Sequence, residues 1–303
     1  NALTNNHPLL SHAFLAGLEK HGCVGGNTGW QSAHLLAWEN NQLVGALPRY
    51  YKEHSWGEFV FDHAWADASH RAGLPYYPKS LIAIPFTPHP SRRILVSDNA
   101  DTAIADALVE ADWQDNHSAS SHFLFINEAD KPALTKQGYL FRRGCQYHWR
   151  NHGYKTFDDF LATLTASRRK KLKRERRRVA ENGIRIERLH GYEVPEQLWP
   201  EVYALYASSF AIRGNPPYYT QSFLEEVCPA LGNQALLVLC WRAEELVACA
   251  ILFNDHHGLY GRHWGAKGDF NSLHFEACFY QGIEYAIEKG LHVFEPGAQG
   301  EHK

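Results

Sequence analysis

The hydrophobic and polar positions of this chain fall into two runs of the same kind, one on either side of residue 150. In the second run, apolar positions spaced three and four apart predict helices over 195–212, 220–230 and 272–289. Alternating or continuous apolar stretches predict strands over 184–189, 234–241, 245–254, 258–264 and 291–294. In the first run the same criteria predict a helix over 9–21, strands near 33–38, 42–51 and 58–61, a helix over 64–72 and a strand over 80–85. Its remainder reads as a strand over 93–96, a helix over 100–113, a strand over 122–127, a helix over 131–137 and a strand over 139–150.

The two runs share more than element order. Residues 6–48 and 215–252 both read Asn, Pro, a helical Phe-Leu, a strand ending in Trp, a polar turn, and a strand opening on Leu-Val. Pro8 matches Pro217, Phe14 matches Phe223, Trp38 matches Trp241 and Leu43 matches Leu246. The turns 39–42 and 242–245 have hairpin length. Two copies of one supersecondary unit are the economical explanation. The first run joins the shared order only at its second helix, so the sequence is expected to open partway into one domain, 1–152, and to stop partway into another, 153–303.

Between the runs lies a basic block, SRRKKLKRERRR at 167–178. Nine bases and one acid give it +8, and since the whole chain sums to −3, the remainder carries −11. Phe157, Phe160, Leu161 and Leu164 just before it share a helix face, and Asn182-Gly183 supplies a stop beyond it. With Ser167 as the N-cap of a second helix, residues 168–171 fill a first turn whose dipole disfavours each exposed cation by roughly 0.3–1 kcal/mol. That arrangement suggests an anionic partner, and Arg168, Arg169, Lys173 and Arg176 are the candidate contacts to a phosphate-bearing ligand. The competing reading is one solvated helix with Leu172 and Val179 facing inward. A merely solvated face interleaves charges of both signs, because neighbouring cations repel.

Composition narrows the class. With 45% hydrophobic and 13% aromatic residues over 303 positions, there is apolar content for one large or two ordinary cores. The longest apolar runs, 235–241 and 246–253, are strand-sized and far below the ~18–20 residues of a membrane span. No signal-peptide pattern opens the sequence. The six cysteines never come closer than nine positions, which excludes CxxC pairs and fits scattered reduced thiols, so a cytoplasmic location is expected. Nineteen histidines invite a metal, but no helix carries His-x3-His or His-Glu-x-x-His and His256-His257 reads as a turn, so none is expected. Neither a Gly-x-Ser-x-Gly elbow nor a Walker loop is present. Methionine is absent altogether, which suggests that positions are missing from the sequence.

Acyl transfer to an amine needs a proton acceptor, donors for the tetrahedral oxyanion, and strands that splay apart to admit the substrate. The stretch FEPGAQGEHK at 294–303 follows a buried strand and gathers Glu295, Glu301 and His302, with Gly297 and Gly300 permitting close backbone approach. These three are the candidate catalytic residues; the alternative is a Pro-Gly turn with solvated charges. In the first run, Asp62, His63, Trp65 and Asp67 combine carboxylates, an imidazole and an aromatic platform. The alternative for Asp62 is a helix N-cap, with only His63 and Asp67 sharing a face at i, i+4. Tyr76, Tyr77 and Lys79, followed by a Pro-rich run, offer stacking surfaces and a cation for a sugar or peptide, or equally a structural loop. Asp62, Trp65, Asp67, Tyr77 and Lys79 therefore join the substrate-binding candidates.

The order of a strand, two helices, three antiparallel strands, a helix and a parallel strand resembles the acyltransferase fold of the GNAT superfamily, here present twice. Two such halves with a basic helix opening the second resemble the Fem-type peptidoglycan aminoacyltransferases and the wider FemAB-like group. HSWGEFVFDHAWADA (54–68), YYPKSLIAIPFTP (76–88), the RRK-rich helix and FEPGAQGEHK (294–303) resemble the hallmark stretches of the FemAB-like family of peptidoglycan biosynthesis or recognition. The resemblance implies an α/β (α+β) fold of tandem GNAT-like domains, each a mixed, largely antiparallel sheet flanked by helices. It also implies an acyl or aminoacyl transferase acting on an amine, with a peptidoglycan precursor as the acceptor class. The alternative is a non-catalytic module of the same fold that holds nucleic acid or a phosphorylated glycan. GNAT enzymes that use acyl-CoA carry Q/R-x-x-G-x-G/A after the fourth strand, where backbone N–H groups hold the pyrophosphate. The matching cofactor-binding positions are Arg262, Gly265, Lys267 and Gly268, with Lys267 where a small residue belongs. The first run offers 61–65 at the equivalent place, where Asp62 would repel phosphate. No tightly bound cofactor is expected; the donor is aminoacyl-tRNA, whose backbone suits the basic helix, or acyl-CoA at a degenerate site.

Overall fold

A computed structural model of the chain describes residues 2–97 and 102–297. It divides into two compact units, Asn1–Cys145 and Gln146–Lys303.

The first unit opens with α1 (His12–Lys20), where the Ser11 hydroxyl accepts from the Phe14 N–H at 3.2 Å and Phe14 and Leu18 face the core. Then come β1 (Trp30–Ser32), β2 (Leu35–Glu39), β3 (Gln42–Leu47), β4 (Arg49–Lys52), α2 (His63–Arg71), β5 (Lys79–Ile82), β6 (Leu95–Val96), α3 (Thr102–Trp113), β7 (Ser121–Phe123) and α4 (Lys131–Lys136). They form a four-stranded sheet, β1-β4-β5-β7, and a three-stranded one, β2-β3-β6. The strand predicted over 42–51 is divided at Pro48, which has no N–H for a ladder; β3 pairs with β2 and β6, and β4 with β1 and β5.

The strand predicted over 58–61 does not form. Gly57 and Phe59 take left-handed φ values of 81° and 58°, which turn the chain instead of extending it. The third antiparallel strand is β5, reached after an excursion over 53–78 that carries α2. Residues 61–65 are therefore not the counterpart of the segment after the fourth strand in the other half, and no phosphate argument attaches to Asp62. The strand predicted over 139–150 shrinks to Trp149–Arg150, because 139–148 have no strand to pair with and Leu140 is 95% exposed.

The second unit contains β8 (Trp149–Arg150), α5 (Phe157–Thr163), α6 (Ala166–Glu181), β9 (Ile184–His190), α7 (Trp199–Ala211), α8 (Gln221–Ala230), β10 (Ala235–Arg242), β11 (Glu245–Asn254), β12 (Gly258–Ala266) and β13 (Val293–Glu295). A helix in three stretches, α9 (Leu273–Phe275), a π turn (Glu276–Tyr280) and α10 (Gln281–Glu288), links β12 to β13. One six-stranded sheet runs β8-β13-β12-β11-β10-β9. Its central strands read as continuous apolar runs because α7 and the π turn cover them on both faces.

The two units share two local features, although the first has two sheets and the second one. In each, a two-residue turn joins a hairpin with a bulge just before its Trp, pairing Trp38 with Leu43 and Trp241 with Leu246. In each, antiparallel pairing ends on a parallel partner, β5 with β7 and β12 with β13. The expected mixed, largely antiparallel sheets flanked by helices are thus present in both units.

Candidate functional site

In the first unit the residue pattern around 55–79 converges on one ammonium group. Lys79 on β5 is fully buried, and its Nζ donates to Asp62 Oδ2 at 2.6 Å, Glu58 Oε2 at 2.7 Å and Ser55 Oγ at 2.8 Å. Tyr76 donates its hydroxyl to Asp62 Oδ2 at 2.8 Å, and Tyr77 exchanges a hydrogen bond with Ser55 at 2.8 Å. The Lys79 ammonium lies 5.5 and 5.6 Å from the Tyr76 and Tyr77 ring centroids. Asp62 occupies the N-cap position of α2 without capping it, since its carboxylate is turned to Lys79.

Charge in this centre is finely balanced. Burial alone would raise the Asp62 carboxyl, but hydrogen bonds from Lys79, Ser55 and Tyr76 outweigh it and hold it at about 2. For Glu58 burial wins over the attraction of Lys79, and its pKa rises. Directly across the β4–β5 ladder from Lys79 lies Lys52, also fully buried, with Nζ 4.1 Å from the Trp30 ring centroid and 3.3 Å from the Trp56 carbonyl. Burial pushes Lys52 down to about 7, and repulsion from Lys79 adds to this against the pull of Glu58. Two carboxylate oxygens, Glu58 Oε1 and Asp62 Oδ1, are buried without a partner. Trp65, 66% exposed, and Asp67 lie on the outer face of α2 and are not part of the centre.

In the second unit, β13 pairs with β12 only as far as Tyr260 and Glu295, while β12 continues to Ala266. Arg262 is the extra residue of a bulge opposite Ile251 and Leu252, and its Nη2 meets Glu295 Oε1 at 3.1 Å. Both side chains are buried, at 2% and 1% exposed. Arg262 is therefore committed to Glu295 and not offered to a pyrophosphate. Gly265 is required by packing, because a Cβ there would overlap the Leu205 carbonyl on α7. Lys267 contacts Glu245 at 2.9 Å and Glu201 at 4.0 Å, and Gly268 is open to solvent. Glu301 and His302 lie outside the described residues.

The basic helix α6 begins two residues earlier than a Ser167 cap would set it, with the Thr165 side chain accepting from the Arg168 N–H at 3.5 Å. Leu172, Glu175 and Val179 face inward, and Glu175 accepts from the Tyr280 hydroxyl. Three of the four proposed phosphate contacts are paired within the protein itself. Arg169 donates to the carbonyls of Leu161, Ala162 and Leu164 at the end of α5. Arg176 spans Glu276 and Glu284, at 3.2 and 2.9 Å, and lies 4.6 Å from the Phe157 ring centroid. Lys173 pairs with Asp158 at 3.0 Å on the surface, and Arg168 is exposed. The outward row is instead Lys170, Arg174 and Arg178, at i, i+4 and i+8, which make no ion pair among the described residues. Arg176→Ala is accordingly expected to cost about 2–3 kcal/mol in urea denaturation, because Glu276 would be left buried and underpaired. Arg174→Ala should stay within about 0.5 kcal/mol of the parent.

The FemAB-like family model, described as peptidoglycan biosynthesis/recognition, matches residues 1–303. The chain belongs to the FemAB-like family. Among solved structures, it is similar to the C-terminal domain of a putative lysylphosphatidylglycerol synthetase from Agrobacterium fabrum, with TM-score 0.58 and 11% identity over 89% of this chain and 71% of that one. L-PGS from Bacillus licheniformis gives TM-score 0.58 and 12% identity over 95% and 78% of the two chains. FemX gives TM-score 0.52 and 12% identity over 98% and 86%. No curated protein matches the chain.

In this FemAB-like chain the segments 54–68 and 76–88, far apart in pattern and composition, meet at Lys79. Sequence reasoning singled out Asp62, Tyr77 and Lys79 but missed Ser55, Glu58 and Lys52. The signal for the last was its register opposite Lys79, which no periodicity reveals. Also missed was His148, whose Nε2 lies 3.9 Å from Glu295 Oε2. Among the described residues, no three His, Cys, Asp or Glu side chains are grouped to hold a metal, and no helix is long and apolar enough to cross a membrane.

Proposed function

We propose that this FemAB-like protein is an aminoacyl transferase that carries an aminoacyl group from aminoacyl-tRNA to an amine of a peptidoglycan precursor. The observation that carries the donor is the outward row Lys170, Arg174 and Arg178 on α6. Three unpaired cations roughly 6 Å apart along a helix suit successive phosphates of a nucleic-acid backbone. Acyl-CoA is the weaker donor, since Arg262 and Lys267 already face carboxylates and Gly265 is covered by α7. Membership of a family described by peptidoglycan biosynthesis supports the acceptor class, as does a fold shared with FemX.

We take the two units to be a duplicated GNAT-like domain, on the strength of the matched Trp hairpins and the parallel closing strands. The end of β13 around Glu295 holds the reacting groups.

The test offers labelled aminoacyl-tRNA, and acetyl-CoA separately, to the full-length protein with an amine-bearing peptidoglycan precursor. Label should pass from tRNA to the precursor in an amide bond. Saturable transfer from micromolar acetyl-CoA would refute the donor; tight precursor or RNA binding with no transfer from either would make the protein a binding module.

A further inference from the structure

Resting on the aminoacyl-transfer reading, we propose that His148 is the base that takes the proton of the attacking amine, and that Glu295 and Arg262 are its positioning residues. Glu295 is too well neutralised to serve as the base itself. Its Oε1 is held by Arg262 at 3.1 Å in a pair almost wholly withdrawn from water, so protonating it would strand the guanidinium. The bulge in β12 aims Arg262 at this carboxylate.

The other carboxylate oxygen, Oε2, is 3.9 Å from His148 Nε2. This neighbour relation follows from the backbone, since Trp149 of β8 pairs with Phe294 of β13 and sets the preceding residue beside Glu295. His148 Nε2 also lies 3.2 Å from Gln146 Oε1. A carboxylate oxygen and an amide oxygen can only accept, so Nε2 carries the hydrogen and Nδ1 keeps the lone pair. The ring is 24% exposed, where Glu295 beneath it is 1% exposed. Burial lowers the His148 pKa, Arg150 and Arg262 lower it further, and Glu295 opposes them, so the ring is neutral and able to accept a proton at pH 7. These are the charged groups that bear on it from β8, β12 and β13.

The step balances without an external oxidant or reductant. The amine nitrogen of the acceptor attacks the ester carbonyl carbon of the aminoacyl-tRNA, and its proton passes to His148 Nδ1. The bond from that carbon to the ribose oxygen breaks, and His148 returns the proton to the leaving oxygen. The products are an amide and a tRNA with a free hydroxyl. Glu295 stabilises the transient imidazolium and stays ionised throughout.

The experiment compares wild type, His148→Gln and His148→Ala in the aminoacyl-tRNA assay across pH. Wild-type kcat should rise with pH through one ionisation and level off. Both variants should lose ~10²–10⁴ in kcat, change KM for either substrate by no more than about threefold, and lose that inflection. Added imidazole should restore part of the His148→Ala rate, which a structural role for the ring does not produce. Glu295→Gln should move the wild-type inflection to lower pH, because the charge that favours the imidazolium is gone. An active wild type with undiminished, pH-identical turnover in folded His148→Gln would overturn this assignment and leave aminoacyl transfer standing. A wild type that transfers nothing would defeat the transferase reading, and His148 as its base with it.

Discussion

Lys79→Met is expected to lower stability by about 3–5 kcal/mol at pH 7, read as a drop in the urea midpoint. Lys79 is the shared partner of Glu58 and Asp62, and all three side chains are withdrawn from water. Methionine fills the space of the lysine stem but removes the cation that bonds both carboxylates. The pH dependence identifies the cause. In the parent, Asp62 is held at about 2, below its ordinary value, so its contribution is present above the ordinary carboxylate range and is lost as pH falls toward 2. In the variant, burial raises both carboxyls, so stability is present below their ordinary values and is lost as pH rises. Lys79→Met should therefore gain stability between pH 7 and pH 5. The triple change with Glu58→Gln and Asp62→Asn should recover much of the loss at pH 7. Equal midpoints for the single variant at pH 5 and pH 7 would show that packing, not charge, dominates.

The second large effect is expected at the surface of α6. Reversing Lys170, Arg174 and Arg178 to Glu should weaken tRNA binding on the order of 10²-fold at low salt, since three phosphate contacts become repulsions. The fold should survive, because exposed charge changes away from packed features usually stay within about 0.5 kcal/mol each. A charge reversal at Arg169 would behave differently, as that guanidinium closes three carbonyls at the end of α5. Thermal melting separates the two cases: intact unfolding for the outward triple, and a lowered midpoint for Arg169→Glu.

Much of the second unit was legible because its elements obey simple periods. β11 spans Glu245–Asn254, as its continuous apolar run indicates, and the Trp241 hairpin closes on its polar turn. The first unit hides its order for local reasons. Phe59 and Phe61 look like alternating strand positions, yet left-handed backbone at Gly57 and Phe59 folds them into the loop that delivers Glu58 to Lys79. Pro48 cuts one predicted strand and sends its halves to different sheets. The cluster around Lys79 was half visible, as residue types dense enough to notice, but its members meet through a β4–β5 register and an excursion of the chain. Asp62 illustrates the limit: sequence allows a cap or a site, and only the position of Lys79 decides between them. On α6 the density of charge was plain, whereas the division between inward Arg169 and Arg176 and outward Lys170, Arg174 and Arg178 required the neighbours on α5 and the π turn.

The claim that α6 faces the RNA of the donor is tested most directly by tRNA binding across a salt series, with wild type beside the Lys170→Glu, Arg174→Glu, Arg178→Glu variant. If the three cations each neutralise a phosphate, the wild-type slope of log affinity against log salt should be steeper by about 2 to 3. Parallel slopes and equal affinities for the two proteins would place the RNA elsewhere and contradict the account.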